Sequence, residues 1–216
     1  MNIYTHYSDS HKEMYTEFFK TSLRNIYTKS EVLIKAVYHT QTNSGSFMSE
    51  GWLDSMDIKL DIILNALEES EEFIFADCDI QFFKPFIHIV QSNLKTYDIV
   101  CQEDRGSLCA GFFGCKSNER TRELFRAVKQ NFRLMVNDQV ALNNFKHLAR
   151  CATLDINQFY TIGNFFENNN GTSIWDNITN ITPPSNILLH HANYVVGVEN
   201  KINLLNMIKQ NESMVR

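Results

Sequence analysis

A run of apolar residues that ends in two aspartates constrains the fold of this chain more than any other feature. Residues 73–76 read Phe-Ile-Phe-Ala, and Asp77 and Asp79 follow within three positions. Such a run is typical of a strand buried on both faces of a sheet, and open α/β sheets bind ligands at the carboxyl ends of their strands. Two aspartates at positions i and i+2 of extended chain point to the same side, so both can reach one hard cation. The alternative is a polar turn in which aspartate is only a turn former.

The elements predicted around this run alternate between strands and helices. Apolar residues at helical spacing run from about His11 to Tyr27, and residues 51–70 carry a second apolar stripe. Strands are predicted before and between these helices, at residues 2–7 and 31–39. Strand, helix, strand, helix, strand is the order of βαβ units, so the sequence predicts an α/β fold with a parallel sheet.

The rest of the chain is predicted to contain further strands and helices, which alternate less regularly. Strands are expected at residues 97–102, 109–116, 153–160 and 187–193, and helices after Pro85, Ser117 and Asn137 and over residues 200–210. We expect polar loops at residues 40–50 and 103–108. The stretch 161–185 is long, asparagine-rich and irregular, which is typical of a lid or an acceptor-binding loop.

The composition narrows the classes of partner and compartment. The 216 residues carry a formal net charge of −5, which argues against a nucleic-acid groove, because binding to phosphate backbones needs clustered Lys and Arg. The five cysteines are scattered and form no Cys-x-x-Cys pair, so we expect reduced thiols in a cytosol-like compartment. The sequence shows neither a signal-peptide pattern nor an apolar run long enough to span a bilayer, so a cytoplasmic protein is expected.

A second candidate site lies near the end of the chain. His190 and His191 leave a predicted strand, Gly197 follows, and Lys201 stands at a predicted helix start. An imidazole suits Mn²⁺, and helix-start amides together with a lysine can hold phosphate. The alternative is a core histidine and a solvated lysine.

Two further residues are candidates for the same site. Asp138 stands at a predicted helix start, where the helix dipole favours a carboxylate. Lys59 borders the apolar stripe of the helix before Asp77, from where it can reach a ligand. The alternatives are an ordinary helix cap for Asp138 and a surface lysine with a buried stem for Lys59.

Taken in order, these residues resemble small glycosyltransferases of the nucleotide-diphospho-sugar transferase type. The matching stretches cover nearly the whole length: Thr5-His6-Tyr7, Lys59, Phe75-Ala-Asp77-Cys-Asp79, Ala110-Gly111-Phe112, Asp138-Gln139 with Asn143, and His191-Ala-Asn-x-x-x-Gly197-x-x-x-Lys201. The resemblance implies a single GT-A, Rossmann-like α/β domain over residues 1–216, with a central mostly parallel sheet flanked by helices on both faces. Because the sequence stops shortly after its last helix, the domain is also read as the possible N-terminal part of a longer protein. Within the family, the chain resembles virus-encoded members from chlorella viruses that are implicated in glycosylating the major capsid protein.

The resemblance also implies a role for each matching residue. Asp77, Asp79 and His191 would hold Mn²⁺ or Mg²⁺, and the His-Ala-Asn triplet selects His191 over His190. Asp138 would be the catalytic residue that faces the reaction centre. The nucleotide sugar would be bound by Thr5, His6, Tyr7, Lys59, Asp77, Ala110, Gly111 and Lys201. Cys109 stands where the family often has a polar residue, which puts the donor-sugar contact at the adjacent Ala110-Gly111 in doubt.

The implied activity is metal-dependent transfer of a sugar from a nucleotide-diphosphate sugar, UDP-linked, to a hydroxyl of a glycan or glycoprotein. A viral capsid protein is one such acceptor, reached in the host cytoplasm if the chain is viral. An inverting route would need a general base, for which Asp138 is the candidate. A retaining route would pass the proton to the leaving phosphate, and the resemblance leans towards retention.

Three other functions are weighed against this one. A phosphatase-like hydrolase with an Asp-x-Asp motif usually carries Thr or Val where this chain has Gln81. A nucleotidyltransferase would have a glycine-rich basic loop after the first strand, whereas residues 7–10 read Tyr-Ser-Asp-Ser. A non-catalytic module that binds sugar nucleotides or glycans stays open, because an intact ligand set does not prove turnover.

Overall fold

The computed structural model describes residues 1–40, 50–161, 181 and 183–215. Its strands are β1 (Asn2–Tyr7), β2 (Leu33–Tyr38), β3 (Glu72–Ala76), β4 (Ile80–Phe82), β5 (Ile99–Asp104), β6 (Ser107–Lys116), β7 (Cys151–Thr153), β8 (Phe159–Thr161) and β9 (Leu189–His191). Its α-helices are α1 (Thr21–Ile26), α2 (Glu50–Glu69), α3 (Ile87–Leu94), α4 (Glu119–Asn131), α5 (Asp138–Phe145) and α6 (Val198–Val215). The alternation predicted for the first half of the chain is present.

The main sheet has six strands in the order β2-β1-β3-β6-β5-β7. Strand β6 runs antiparallel to both of its neighbours, and the other pairings of this sheet are parallel. The predicted mostly parallel sheet is therefore confirmed. A second sheet, of three short strands in the order β4-β9-β8, was not predicted.

Helices cover both faces of the main sheet, as predicted. Along β3, Ile74 belongs to one buried cluster together with residues of the first helical segment and α3, whereas Phe73 and Phe75 belong to another with residues of α2, α4 and α5. All three side chains are fully buried. Because successive side chains of a strand point to opposite faces, burial on both sides explains the continuous apolar run.

The first helical segment is less regular than the predicted single helix. A short 3₁₀ turn (Asp9–His11) is followed by a π-helical stretch (Met14–Lys20), which continues directly into α1. Phe18 of the π-helical stretch packs with α6 residues in a third buried cluster, and Phe19 packs against the main sheet. The segment therefore contacts both the sheet and the last helix.

Other predicted boundaries were wrong. The single strand predicted at residues 153–160 is two strands: β7 pairs with β5 in the main sheet and β8 with β9 in the small one. The polar loop predicted at 103–108 is a tight hairpin between β5 and β6, in which Arg105 and Gly106 have φ of 51° and 79°. Positive φ at both central residues matches the twist of a hairpin. Most of the two loops predicted at 40–50 and 161–185 lies outside the described residues.

In the described part of the chain, no helix has the length and apolar character needed to cross a membrane.

Candidate active site

The two aspartates lie where the chain passes from the main sheet to the small sheet. Strand β3 ends at Ala76, and the backbone N–H of Asp77 donates to the carbonyl of Gly111 on β6 at 2.7 Å. The chain then resumes as β4, where Ile80 pairs with His191 of β9. The antiparallel pairing places the side chain of Asp79 beside that of His191.

Asp77, Asp79 and His191 form a compact group of candidate metal ligands. One ligand atom from each residue lies within 4.8 Å of the others, and Nε2 of His191 is 3.2 Å from Oδ1 of Asp79. The buried Oδ1 of Asp77 has no hydrogen bond of good geometry from the described residues, although the ammonium of Lys59 is 3.2 Å away. Two carboxylates and an imidazole are donors that suit Mn²⁺, and carboxylates suit Mg²⁺. The residues present therefore fit the predicted cation.

Gly111 leaves the space in front of these ligands open. A Cβ atom at this position would lie 2.4 Å from Cε1 of His191 and 2.6 Å from Oδ2 of Asp77. Distances below 3 Å are not tolerated by real Cβ atoms, so any larger residue here would displace the ligands. The predicted Ala110-Gly111 stretch thus borders the site, and close approach of backbone explains the glycine.

Lys59 reaches the site from α2 and joins two of the predicted carboxylates. Its ammonium nitrogen lies 2.9 Å from Oδ2 of Asp138 and 3.2 Å from Oδ1 of Asp77. Burial acts to lower the pKa of Lys59, but the two carboxylates raise it above its usual value. Lys59 is therefore a buried charged residue and not the surface lysine of the alternative interpretation.

Lys201 lies on α6 and forms an ion pair with Oδ2 of Asp79. Burial acts to raise the pKa of Asp79, but Lys201 and His191 hold it well below its usual range. Burial likewise acts to lower the pKa of His191, but the Asp79 carboxylate raises it to about 10. Gly197, with φ of 94°, precedes the helix and accepts from the Lys201 N–H at 3.1 Å.

Asp138 begins α5 and is buried at 5% exposure. Asn137 caps the helix by accepting from the N–H of Val140 at 2.8 Å, so Asp138 is not the capping residue. Gln139 accepts from the N–H of Ala110 at 3.2 Å and donates to Asp104 at 2.7 Å. This amide ties the start of α5 to the strand that carries Gly111.

A cleft of about 120 Å³ opens beside the carboxylates. Its lining includes His6 and Tyr7, together with Asp77, Asp79 and Lys201. Thr5, in contrast, is fully buried, does not line the cleft, and its hydroxyl has no hydrogen-bond partner among the described residues.

Several lining residues of the cleft were missed by the sequence reasoning, among them His39 and Trp52. His39 lies directly after β2, and its Nε2 is 3.2 Å from Nδ1 of His6. Burial and the charge of Lys59 lower the pKa of His6 to about 3, so this imidazole is neutral. The position of His39 at the carboxyl end of the neighbouring parallel strand was a usable signal. Trp52 lines the cleft from α2, and its sequence context gave no such signal.

Comparison with known families decides the class of protein. A family profile described as nucleotide-diphospho-sugar transferase matches residues 17–205, which is most of the chain. The chain belongs to the nucleotide-diphospho-sugar transferase family. The match includes the Asp77–Asp79 stretch, His191 and Lys201, and it makes the chain a glycosyltransferase.

Individual relatives of this nucleotide-diphospho-sugar transferase are distant. The UDP-galactose:fucoside alpha-3-galactosyltransferase of Dictyostelium discoideum is 27% identical in an alignment of 120 residues that covers 51% of this chain. The chain matches only 18% of the length of that relative.

Solved structures share the fold over nearly the whole length of the transferase. A glycosyltransferase involved in the glycosylation of the major capsid of PBCV-1 has a TM-score of 0.62 at 12% identity, covering 95% of this chain and 98% of its own. The galactosyltransferase LgtC, solved in complex with donor and acceptor sugar analogs, has a TM-score of 0.54 at 10% identity and 96% coverage of both chains. The expected GT-A fold and the expected resemblance to a viral capsid glycosyltransferase are both confirmed.

Proposed function

We propose that this glycosyltransferase moves a sugar from a UDP-sugar to a hydroxyl of a glycan or glycoprotein, in a reaction that needs Mn²⁺ or Mg²⁺. The observation that carries the proposal is the grouping of Asp77, Asp79 and His191 within 4.8 Å beside the cleft lined by His6 and Tyr7. A cation at these ligands would lie next to a nucleotide in the cleft. Asp77, Asp79 and His191 are therefore proposed as metal ligands, and Asp77 also as a donor contact.

The names of the relatives supply the first substrates to test. One relative uses UDP-galactose and a fucoside, and LgtC is also a galactosyltransferase. UDP-galactose is accordingly the first donor in the proposal, and a simple fucoside is the first acceptor. A viral capsid protein is the second acceptor class, since the PBCV-1 enzyme is involved in capsid glycosylation.

The charges of the site support the proposed need for a cation. The site contains three carboxylates and three basic groups, so its formal charges sum to zero when His191 is protonated. The carboxylates are those of Asp77, Asp79 and Asp138, and the basic groups are those of Lys59, Lys201 and His191. Such a cluster offers a diphosphate little attraction. A divalent cation in place of the His191 proton would make the cluster net positive and would offset the charge that develops on the diphosphate leaving group. Lys201, at the mouth of the cleft, is the proposed direct partner of the phosphates.

The remaining predicted residues orient the donor and acceptor. Ala110 and Gly111 would border the donor sugar, and Asp138 would face the reacting carbon. Oδ2 of Asp138 is buried and lies 2.9 Å from the ammonium of Lys59, so Lys59 would hold this carboxylate in place for a sugar hydroxyl. In an inverting reaction Asp138 would take the acceptor proton, and in a retaining one it would hold a hydroxyl in place while the leaving phosphate takes the proton.

Residues 1–216 are proposed to act as one catalytic domain in a reducing compartment such as the cytoplasm. The cysteines of the described chain are unpaired: Cys78, Cys101, Cys109, Cys115 and Cys151. Free thiols of this kind persist in reducing compartments.

Nucleotide release from a panel of UDP- and GDP-sugars tests the proposal. The full chain is incubated with each sugar, with and without Mn²⁺, and with the fucoside. We expect UDP release that needs Mn²⁺ and is abolished by Asp79→Asn but not by Asp61→Asn, a matched change of an exposed α2 aspartate. Phosphate release from simple phosphoesters without UDP release would establish the hydrolase alternative. Donor binding without turnover across a wide acceptor panel would establish the binding module.

A further inference from the structure

Gln102 occupies an irregular point of β5 that no sequence pattern marks. The pairing of β5 with β6 is regular from Ile99 to Cys101 and then shifts register before Glu103. Gln102 lies at this shift and is fully buried. Irregular pairing of this kind can re-aim a side chain, and it is frequent next to active sites.

The hydrogen bonds of Gln102 fix the direction of its amide group. Its Nε2 donates to the backbone carbonyls of Phe159 and Tyr160 on β8, at 3.0 Å each. Carbonyl oxygens only accept hydrogen bonds, so the amide nitrogen must face them. The amide oxygen Oε1 consequently faces Nδ1 of His191, at 2.9 Å.

This orientation determines which nitrogen of His191 keeps its proton. Because Oε1 of Gln102 only accepts, Nδ1 of His191 must be the donor. The other ring nitrogen, Nε2, faces Oδ1 of Asp79 at 3.2 Å, and Asp79 and His191 both belong to the group of candidate ligands. A thiol, Cys109 Sγ, lies 3.8 Å from Nδ1 and is a weaker acceptor than the amide oxygen.

The same amide also joins the two sheets. Gln102 comes from β5 of the main sheet, whereas Phe159 and His191 belong to β8 and β9 of the small sheet. Asp77 follows β3 of the main sheet. The distance between Asp77 and His191 therefore depends on how the small sheet docks, and Gln102 makes three contacts across that junction.

We propose that Gln102 is a positioning residue for the divalent cation: it holds the proton on Nδ1 of His191, leaves Nε2 free for the cation, and docks β8 and β9 against the main sheet. The inference rests on the metal site of the proposed function. Hydrogen-bond partners of metal-ligating histidines generally fix the ring in this way, and losing one weakens metal binding about 10- to 100-fold.

Gln81 provides a matched control in the same region. It is also a buried glutamine, its Nε2 donates to the carbonyl of Leu205 at 2.9 Å, and it lies 3.5 Å from Nδ1 of His190. The two glutamines thus differ in which histidine they contact. Methionine is the substitution of choice, since it keeps the length of the side chain and removes the amide.

The first experiment measures Mn²⁺ affinity by the electron paramagnetic resonance of free Mn²⁺, using the full chain as wild type, Gln102→Met and Gln81→Met. We expect Gln102→Met to weaken binding about 10- to 100-fold, and Gln81→Met by less than about threefold. Thermal midpoints recorded without metal show whether both variants fold. Equal losses in the two variants, or no loss in Gln102→Met, would overturn the inference while leaving the metal site intact. A wild type that binds neither Mn²⁺ nor Mg²⁺ would overturn both.

The second experiment needs no variant and is unaffected by folding defects. Wild-type protein carrying ¹⁵N-labelled histidine is loaded with diamagnetic Zn²⁺, and long-range ¹H–¹⁵N spectra identify the protonated nitrogen of each ring. We expect the proton of His191 on Nδ1 and the metal-bound signal on Nε2. A proton on Nε2, with the metal on Nδ1, would refute the proposed role of Gln102.

Discussion

The ammonium nitrogen of Lys59 lies 2.9 Å from Oδ2 of Asp138, and both residues are almost completely buried. Lys59 also contacts Asp77, so its removal takes the counter-charge from the buried carboxylate of Asp138 and from the partly exposed one of Asp77. We expect Lys59→Met to lower the free energy of unfolding by about 3–5 kcal/mol, since breaking a buried ion pair strands its partner. Urea unfolding of the chain measures this loss.

Lys35 supplies the control for that prediction. It forms a 2.6 Å ion pair with Glu69, but both side chains are partly exposed to solvent. Lys35→Met should therefore cost much less stability. Adding Asp138→Asn to Lys59→Met should restore part of the loss, because the double variant no longer buries that charge. Additive effects of the two changes would contradict the coupling.

The space in front of the ligands depends on Gly111. Gly111→Ala places a methyl group against His191 and Asp77, and a displacement of reacting groups by about 1 Å can cost on the order of 100-fold in rate. We expect UDP release to fall by about that factor. Gly106→Ala is the control: its φ of 79° makes the change strained, but nothing lies within 4 Å. It should lower stability by about 1–2 kcal/mol and leave the rate unchanged. A normal rate in Gly111→Ala would show that the site lies elsewhere.

The two adjacent histidines of β9 have different expected roles. Burial lowers the pKa of His190 to about 3, which indicates a neutral core residue, whereas His191 contacts Asp79. We expect His191→Ala to weaken Mn²⁺ binding at least about tenfold, and His190→Ala to have a smaller effect. Titration of Mn²⁺ into both variants makes the comparison. The reverse order would refute the assignment of the ligand to His191.

Asp98 connects the N-terminus of α4 to β7 and should make stability depend on pH. Burial acts to raise its pKa, but hydrogen bonds from Arg150 and Arg120 hold it well below the usual value. A carboxyl group with a depressed folded-state pKa stabilises the fold above its unfolded pKa of about 3.9, and this contribution is lost as the pH falls. The advantage of the wild type over Asp98→Asn should therefore begin to fall below about pH 5 and should keep falling down to about pH 1, because the folded-state pKa lies far below the unfolded one. Urea unfolding at a series of pH values tests this, and a constant difference would contradict it.

The sequence predicted strand β3 well, because this strand is buried along its length on both faces. Residues 73–76 were predicted as a buried strand because all of them are apolar. Helices cover both faces of this strand, so every side chain is buried and the apolar run is continuous. Asp77 and Asp79 could be read as a ligand pair from their spacing. Assigning His191 as their partner required the family resemblance, because its contact with Asp79 depends on the pairing of β4 with a strand more than a hundred residues later.

Other features had no local signal. The β5 register shift that directs Gln102 towards His191 depends on how two strands align, which a single strand's pattern does not encode. The small sheet joins three short strands from distant parts of the chain, and strands of three residues are too short to show alternation. His39 and Trp52 reach the cleft through the folding of β2 and α2 around β1.

Binding of UDP with and without Mn²⁺ tests the central claim most directly. Isothermal titration of UDP into the wild-type chain is compared with the same titration into Asp79→Asn, each at saturating Mn²⁺ and after metal removal. We expect Mn²⁺ to tighten UDP binding to the wild type by at least about tenfold, or about 1.4 kcal/mol, and Asp79→Asn to lose this coupling. Equal UDP affinity with and without Mn²⁺, or an unchanged metal effect in Asp79→Asn, would contradict it.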